Sequence, residues 1–225
     1  MESFCPLHID LKGRKGLVIG GGSVAERKVK TLLAYGADLT VVSPELNSSL
    51  RELFNTGEIS YFDDIYRPAY LKDQFMVICA TDDEEVNRQA ADHCTRHGIL
   101  VNSVSEPDRC TFFFPALLKK GPLTIAVSTA GSSPALSRRI KEQLDGYFGS
   151  EYEEYLSYLG EMRPRIIAQV KDKAARREIF EYLAGDQFFK KFKEKSRSEI
   201  DGLVEEMLAE KETADSSSRP GEDAL

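Results

Sequence analysis

Between residues 16 and 105, short apolar runs alternate with stretches of helical period: GLVIGG, VAERKVKTLLAYG, LTVVSP, ISYFD, FMVICATD, EEVNRQAADHCTRHG and ILVNSV. Runs such as Phe75 to Ala80 are apolar without a polar residue at every second place. That is the pattern of strands buried on both faces, and its alternation with helices predicts a parallel sheet with covering helices. After residue 105 the pattern changes. CTFFFPALLKKGPLTIAV predicts two strands joined by a turn at Gly121 and Pro122, and Ser133 with Pro134 supplies a cap and a first-turn residue for the next helix. From Glu151 to about Lys211 the chain reads as charged helices, with Tyr152, Tyr155, Leu156 and Leu159 at helical spacing. The tail ETADSSSRPGEDAL reads as disordered, and no internal repeat is apparent.

Composition narrows this picture only a little. A chain of 225 residues with 41% apolar content can bury a real core. A formal charge of −7 argues against nucleic acid as the main partner. The N-terminus has no charged-then-apolar signal pattern, and no run approaches the about 18 to 20 apolar residues that span a bilayer, so a cytoplasmic location is expected. Cys5, Cys79, Cys94 and Cys110 are unevenly spaced with no CxxC and read as free thiols.

Candidate chemistry enters with VIGGGSVAERKVKTLL. Gly20, Gly22 and Ala25 fit the G-x-G-x-x-G/A fingerprint, after a strand and before a helix. The first glycine permits a tight turn, the second lets a pyrophosphate approach the backbone, and the small third residue lets helix and strand pack closely. A glycine-rich turn without a ligand is the plainer alternative. The second strand ends in Ser43, where an acidic residue would ordinarily hold the ribose hydroxyls. With no arginine beside it to receive a 2′-phosphate, NAD is favoured over NADP. The expected fold class is α/β: a Rossmann-type parallel-sheet domain over 1–112, a strand–helix region over 113–149, a helical domain over 150–211 and a disordered tail over 212–225.

In order and spacing, LKGRKGLVIGGGSVAERKVKTLLAYGADLTVVSPEL, ICATDDEEVN, VNSVSEP and FFFPALLKKGPLTIAVSTAGSSPALSRRIKEQL resemble the precorrin-2 dehydrogenase/sirohydrochlorin ferrochelatase family, the N-terminal module of siroheme synthase and its stand-alone forms. The resemblance covers residues 4 to 148 closely and the helical remainder loosely. It implies NAD-dependent oxidation of precorrin-2 to sirohydrochlorin, often with insertion of Fe2+ or Co2+, and a homodimer built through the region after the Rossmann domain. Carried over by position, it places Gly20, Gly21, Gly22, Ser23 and Val24 at the cofactor phosphates. Ser43 and Pro44 fall near the adenosine, and Thr81, Asp82, Asn87 and Asn102 around the mouth of the sheet. Asp82 and Asp83 can equally cap the following helix.

One departure stands out. Where the family usually reads an aspartate before the proline of VNSVSEP, this chain has Ser105. A serine hydroxyl, with a pKa far above neutral, is no comparable base, so Glu106 or Asp108 would have to supply a carboxylate or the chelatase step would be lost. On the substrate side, Ser128, Thr129, Gly131, Ser132 and Ser133 crowd the approach to a helix N-terminus, with Arg138 and Arg139 one turn in. That pattern suits the carboxylates of a tetrapyrrole, and Ser128 matches the family's substrate-site serine. A capped helix with a solvated arginine pair is the simpler reading of part of it. Arg163, Arg165, Arg176 and Arg177 could add contacts, though charge runs on helices are usually surface. His93 and His97 lie at ligand spacing but suit a helix C-terminus before Gly98, and Cys110 reads as a buried thiol, so no metal site is expected. The catalytic candidates are therefore Ser105, Glu106 and Ser128. The rival reading is a non-catalytic NAD(H)-binding regulatory module; a chelatase or carrier without dehydrogenase activity is a third.

Overall fold

The fold is that of a computed structural model, which describes residues 4–217, with side chains described to residue 211. The chain divides into two compact units after Phe114. In the first, a five-stranded sheet is built from β1 (Lys15–Ile19), β2 (Asp38–Val42), β3 (Ser60–Phe62), β4 (Met76–Cys79) and β5 (Leu100–Ser103). Its order is β3-β2-β1-β4-β5, and every pairing is parallel. Three helices serve it: α1 (Ser23–Leu33), α2 (Ser48–Asn55) and α3 (Glu84–Arg96). The apolar runs lack alternation because both faces are covered. Val18, Val41 and Ile78 pack with Val29 and Leu32 of α1 and Leu50 of α2, while Leu17, Ile19, Val77 and Cys79 pack with Ala90, Ala91 and Cys94 of α3. Each fully buried aliphatic side chain contributes about 1.5–3 kcal/mol by leaving water. The resulting edge at the carboxyl ends of β1, β4 and β5 is where open α/β sheets hold ligands.

In the second unit, β6 (Ala116–Lys120) and β7 (Leu123–Val127) form an antiparallel ribbon around a turn in which Gly121 has φ +53°. Helices α4 (Pro134–Tyr147), α5 (Glu151–Gln169), α6 (Lys173–Leu183), α7 (Asp186–Glu194) and α8 (Arg197–Ser217) follow. Tyr155, Tyr158, Met162 and Ile166 of α5 share one core with Ile179, Leu183, Phe188, Ile200, Val204 and Leu208. The spacing of three and four is what puts them on inward faces. Helix α8 runs past the boundary expected at 211, so the start of the expected disordered tail is helical; residues 218–225 lie outside the described residues. Among the described residues, no helix is long and apolar enough to cross a membrane.

Candidate active site at the carboxyl edge of the sheet

The turn between β1 and α1 holds its shape because the chain crowds two of its glycines and leaves the third clear. Gly20 adopts φ +118°, which glycine alone accepts without strain, and a side chain there would collide with the carbonyl of Ala80. A side chain at Gly21 would collide with the carbonyl of Glu45, and Ser43 Oγ would lie 3.0 Å from its Cβ. The 43–47 loop is therefore fitted against the turn, and Asn47 N donates to Gly21 O at 2.9 Å. Gly22 is different: nothing lies within 4 Å of where its Cβ would be. It caps α1 with no side-chain bond, and the first intrahelical bond is Glu26 N to Gly22 O at 3.0 Å. The N–H groups of Ser23, Val24 and Ala25 thus precede the helix ladder at the dipole's positive end, next to the open position beside Gly22, an arrangement that fits a pyrophosphate. Ala25, fully buried, is the small residue at the helix–strand contact. The turn fits NAD on all three counts.

Ser43 is buried at the end of β2, with its carbonyl accepting from Tyr61 Oη at 2.9 Å, while Pro44 is exposed. Beneath that loop runs a network the sequence reading did not anticipate. Asn47 caps α2 by accepting from Leu50 N, and its amide donates to Glu26 Oε2 at 2.7 Å. With Lys30 at 2.6 Å and Ser49 also bonding it, the Glu26 carboxyl is held below its ordinary pKa. Asn47 followed by a short apolar-periodic stretch was the available signal.

At the mouth of β4 and β5 the expected residues take separate parts. Asp83, not Asp82, caps α3, accepting from Glu85 N at 3.0 Å and Val86 N at 3.1 Å; Asp82 is exposed beside it. Asn87 is fully buried, and its amide is engaged by Thr81 and Ser105, so a direct cofactor contact expected of it has no free donor to use. Asn102 donates to Phe112 O at 3.1 Å and Cys110 Sγ at 3.7 Å. The Cys110 thiol is raised in pKa by burial and donates to Ser103 O at 3.3 Å, a bracing role. Ser105 is half-buried. Glu106 does not point free: Arg109 Nε lies 3.5 Å from its carboxylate, and Nη1 of the same arginine pairs with Asp92 on α3. Lys28, on the inner side of α1, stacks 3.8 Å over the Phe114 ring, and burial pushes its pKa down to about 8. His93 Nδ1 meets Tyr66 Oη at 2.9 Å, and His97 closes α3 before Gly98 at φ +67°.

In the second unit, Ser133 caps α4 by accepting from Leu136 N at 3.2 Å, with Pro134 in the first turn. Thr129 turns inward: its hydroxyl meets Ser133 O and Ser137 Oγ at 3.0 Å, so it shapes the loop and is not free for a substrate. Ser128 is exposed and accepts from Ala130 N at 3.1 Å, which leaves its own proton for an acceptor outside. Ala130 and Gly131 both take positive φ, +50° and +82°, and Ser132, Arg138 and Arg139 are exposed.

An NAD(P)-binding family model matches residues 7–116, and the model of the central part of sirohaem biosynthesis proteins matches residues 120–146. The siroheme synthase of Photorhabdus laumondii is 36% identical over 185 residues, 82% of this chain and 39% of that protein. The Tolumonas auensis siroheme synthase is 39% identical over 178 residues, 79% of this chain and 38% of that protein. The chain therefore spans about two fifths of the length of the curated relatives it matches. Among solved structures, SirC, a precorrin-2 dehydrogenase, superposes with a TM-score of 0.77 at 29% identity, over 91% of this chain and 98% of that one. The chain belongs to the precorrin-2 dehydrogenase and siroheme synthase family. The glycine turn lies inside the residues matched by the NAD(P)-binding model, and Ser105 and the Arg109-held Glu106 follow β5 at the mouth of the sheet.

Proposed function

We propose that this chain oxidises precorrin-2 to sirohydrochlorin with NAD. The observation that carries the reading is the open cradle over Gly22, with its unbonded first-turn N–H groups, in a chain that matches nearly the whole of a precorrin-2 dehydrogenase. NAD, when bound, supplies the hydride acceptor. The chain's own residues bind and orient: Gly20, Gly21, Gly22, Ser23 and Val24 hold the pyrophosphate, Ser43 and Pro44 border the adenosine, and Thr81, Asp82 and Asn102 border the nicotinamide end. Ser128, Ser132 and Arg138, with Arg139, offer donors and positive charge to the substrate's carboxylates. Ser105 donates a hydrogen bond and takes no proton, since its pKa lies far above neutral.

Residues 1–112 form the cofactor domain in this reading, 113–149 the dimerisation and substrate-binding region of a homodimer, and 150–211 a helical domain. The cytoplasm, which supplies NAD and keeps Cys5, Cys79, Cys94 and Cys110 reduced, is its compartment. Insertion of Fe2+ or Co2+ is the weaker half, because the carboxylate nearest Ser105 in sequence is already paired with Arg109. Anaerobic incubation with precorrin-2 and NAD, followed by absorbance, tests the reading. Sirohydrochlorin should form with one NADH per turnover and remain unmetallated when Fe2+ or Co2+ is added. Binding of NAD without any oxidation would turn the assignment to a regulatory NAD(H) module.

A further inference from the structure

Asn87 has a side chain its helix does not call for. It sits in the first turn of α3, fully buried, where Asp83 has already capped the helix and where the residues one and two turns on, Ala90, Ala91 and Cys94, are small and apolar. A buried amide is costly unless all its groups are bonded, and here they are. Its Oδ1 accepts from Thr81 N and from Thr81 Oγ1, both at 3.2 Å; its Nδ2 donates to Thr81 O at 2.8 Å and to Ser105 Oγ at 3.0 Å. The orientation of the amide follows from chemistry: a backbone N–H can only donate and a carbonyl can only accept, so the two backbone groups of Thr81 fix which end is oxygen. Nδ2 must therefore be the donor to Ser105.

We infer that Asn87 is a positioning residue for the oxidation: its amide clamps the turn after β4 to the loop after β5 and so directs the Ser105 hydroxyl proton outward, as a hydrogen-bond donor to the bound molecules. With a lone pair of Ser105 taken by Asn87, and no other Ser105 partner among the described residues, the O–H is the group left to present. Its acceptor is a carbonyl or carboxylate oxygen, on the nicotinamide carboxamide or on the tetrapyrrole. The substitution of serine for a carboxylate at this place becomes intelligible: an aspartate could only accept, whereas Ser105 accepts from Asn87 and donates onward. The inference rests on the dehydrogenase reading of the site.

A double-mutant cycle over Asn87→Asp and Ser105→Ala tests it, reading kcat, both KM values and the NAD dissociation constant. Asn87→Asp keeps the shape but replaces the donor with an acceptor, which turns the Ser105 proton inward and also gives up the bond to Thr81 O, a loss common to the single and double variants that the cycle cancels. Each single variant should lose about tenfold in kcat/KM, the size of one lost hydrogen bond, and the double should lose no more than the worse single. Ser105→Thr, which keeps a hydroxyl, should restore most of the activity. A loss confined to KM for NAD places the acceptor on the cofactor, and one confined to KM for precorrin-2 places it on the substrate. Unchanged kcat/KM in Asn87→Asp, or single losses that multiply in the double variant, would overturn the inference. If Asn87→Asp fails to fold, Asn87→Ser takes its place in the cycle under the same criteria. A wild-type protein that binds NAD but does not oxidise precorrin-2 removes the dehydrogenase reading instead; coupling between positions 87 and 105 is then read in NAD affinity, and its absence there sinks the positioning role.

Discussion

A methyl group at Gly21 meets the carbonyl of Glu45, and one at the next residue meets nothing. Gly21→Ala should therefore cost stability, about 1–3 kcal/mol as for other forced insertions into filled space. Gly22→Ala should fold almost normally, since Gly22 has φ −86° and ψ −171°, which alanine adopts readily. Its methyl would fill the space the pyrophosphate needs, so NAD affinity measured by calorimetry should fall tenfold or more with little change in Tm; wild-type affinity would mean the phosphates lie elsewhere. Lys28 makes a separate prediction in pH. Its folded pKa, about 8, lies below the about 10.4 of an unfolded lysine, so between these values the unfolded chain binds the extra proton. Stability from this group therefore rises with pH across that window. The thiols of Cys79 and Cys94, held up by burial, act in the opposite sense at the alkaline end, and comparison with Lys28→Met cancels them. Wild type should gain in Tm on Lys28→Met as pH goes from 7 to 10. A difference that stays flat would show that the ring of Phe114 offsets the burial.

The elements that were legible from sequence are those whose causes are local. β1 and β4 announce themselves by the apolar runs Leu17–Ile19 and Met76–Cys79, the Gly121–Pro122 turn separates β6 from β7, and Ser133 caps α4 through a bond only three residues long. Helix α2 was not legible: it has eight residues and only Leu50 buried, and what fixes it is Asn47 reaching Glu26 across 21 positions. The same limit hid the link of Asn87 to Ser105, 18 residues apart, and the hold of Arg109 on Asp92, 17 apart. Candidate residues can be named from sequence, but which of them bond each other is decided by such long-range bonds. Helix α5 shows a local break that tertiary packing overrides. Pro164 stands inside it, lacking the N–H that would bond Gly160 O, yet Tyr158, Met162 and Ile166 stay buried on either side. Pro164→Ala restores that bond, and denaturant unfolding should show a gain of about 1 kcal/mol or more. A loss would mean that the bend itself is needed to fit α5 into its core.

At the scale of the molecule, the first unit pairs its strands in a sheet of five, whereas the second has a ribbon of two. β6 and β7 make a ribbon of two strands, in which only Leu118 is buried, and isolated two-stranded ribbons are marginal in water. Leu118, Ile125, Leu123 and Val127 share one face by register, and Leu117 and Ala126 lie opposite each other on the other. Both outer edges present backbone groups with no further strand to bond them among the described residues. A second copy of the chain would complete such a ribbon by a two-fold contact, the commonest way a soluble protein closes an interface, and this is where the proposed homodimer should form. Placing glutamates at Leu117 and Ala126 together sets like charges into that contact while leaving the Leu118 face untouched. Sedimentation should show wild type as a dimer and this double variant as a monomer of unchanged helix content. If the variant still binds NAD but no longer oxidises precorrin-2, the substrate site depends on the pairing. A wild-type chain that sediments as a monomer at concentrations where it turns over would remove the dimer from the proposal and leave the glycine turn untouched.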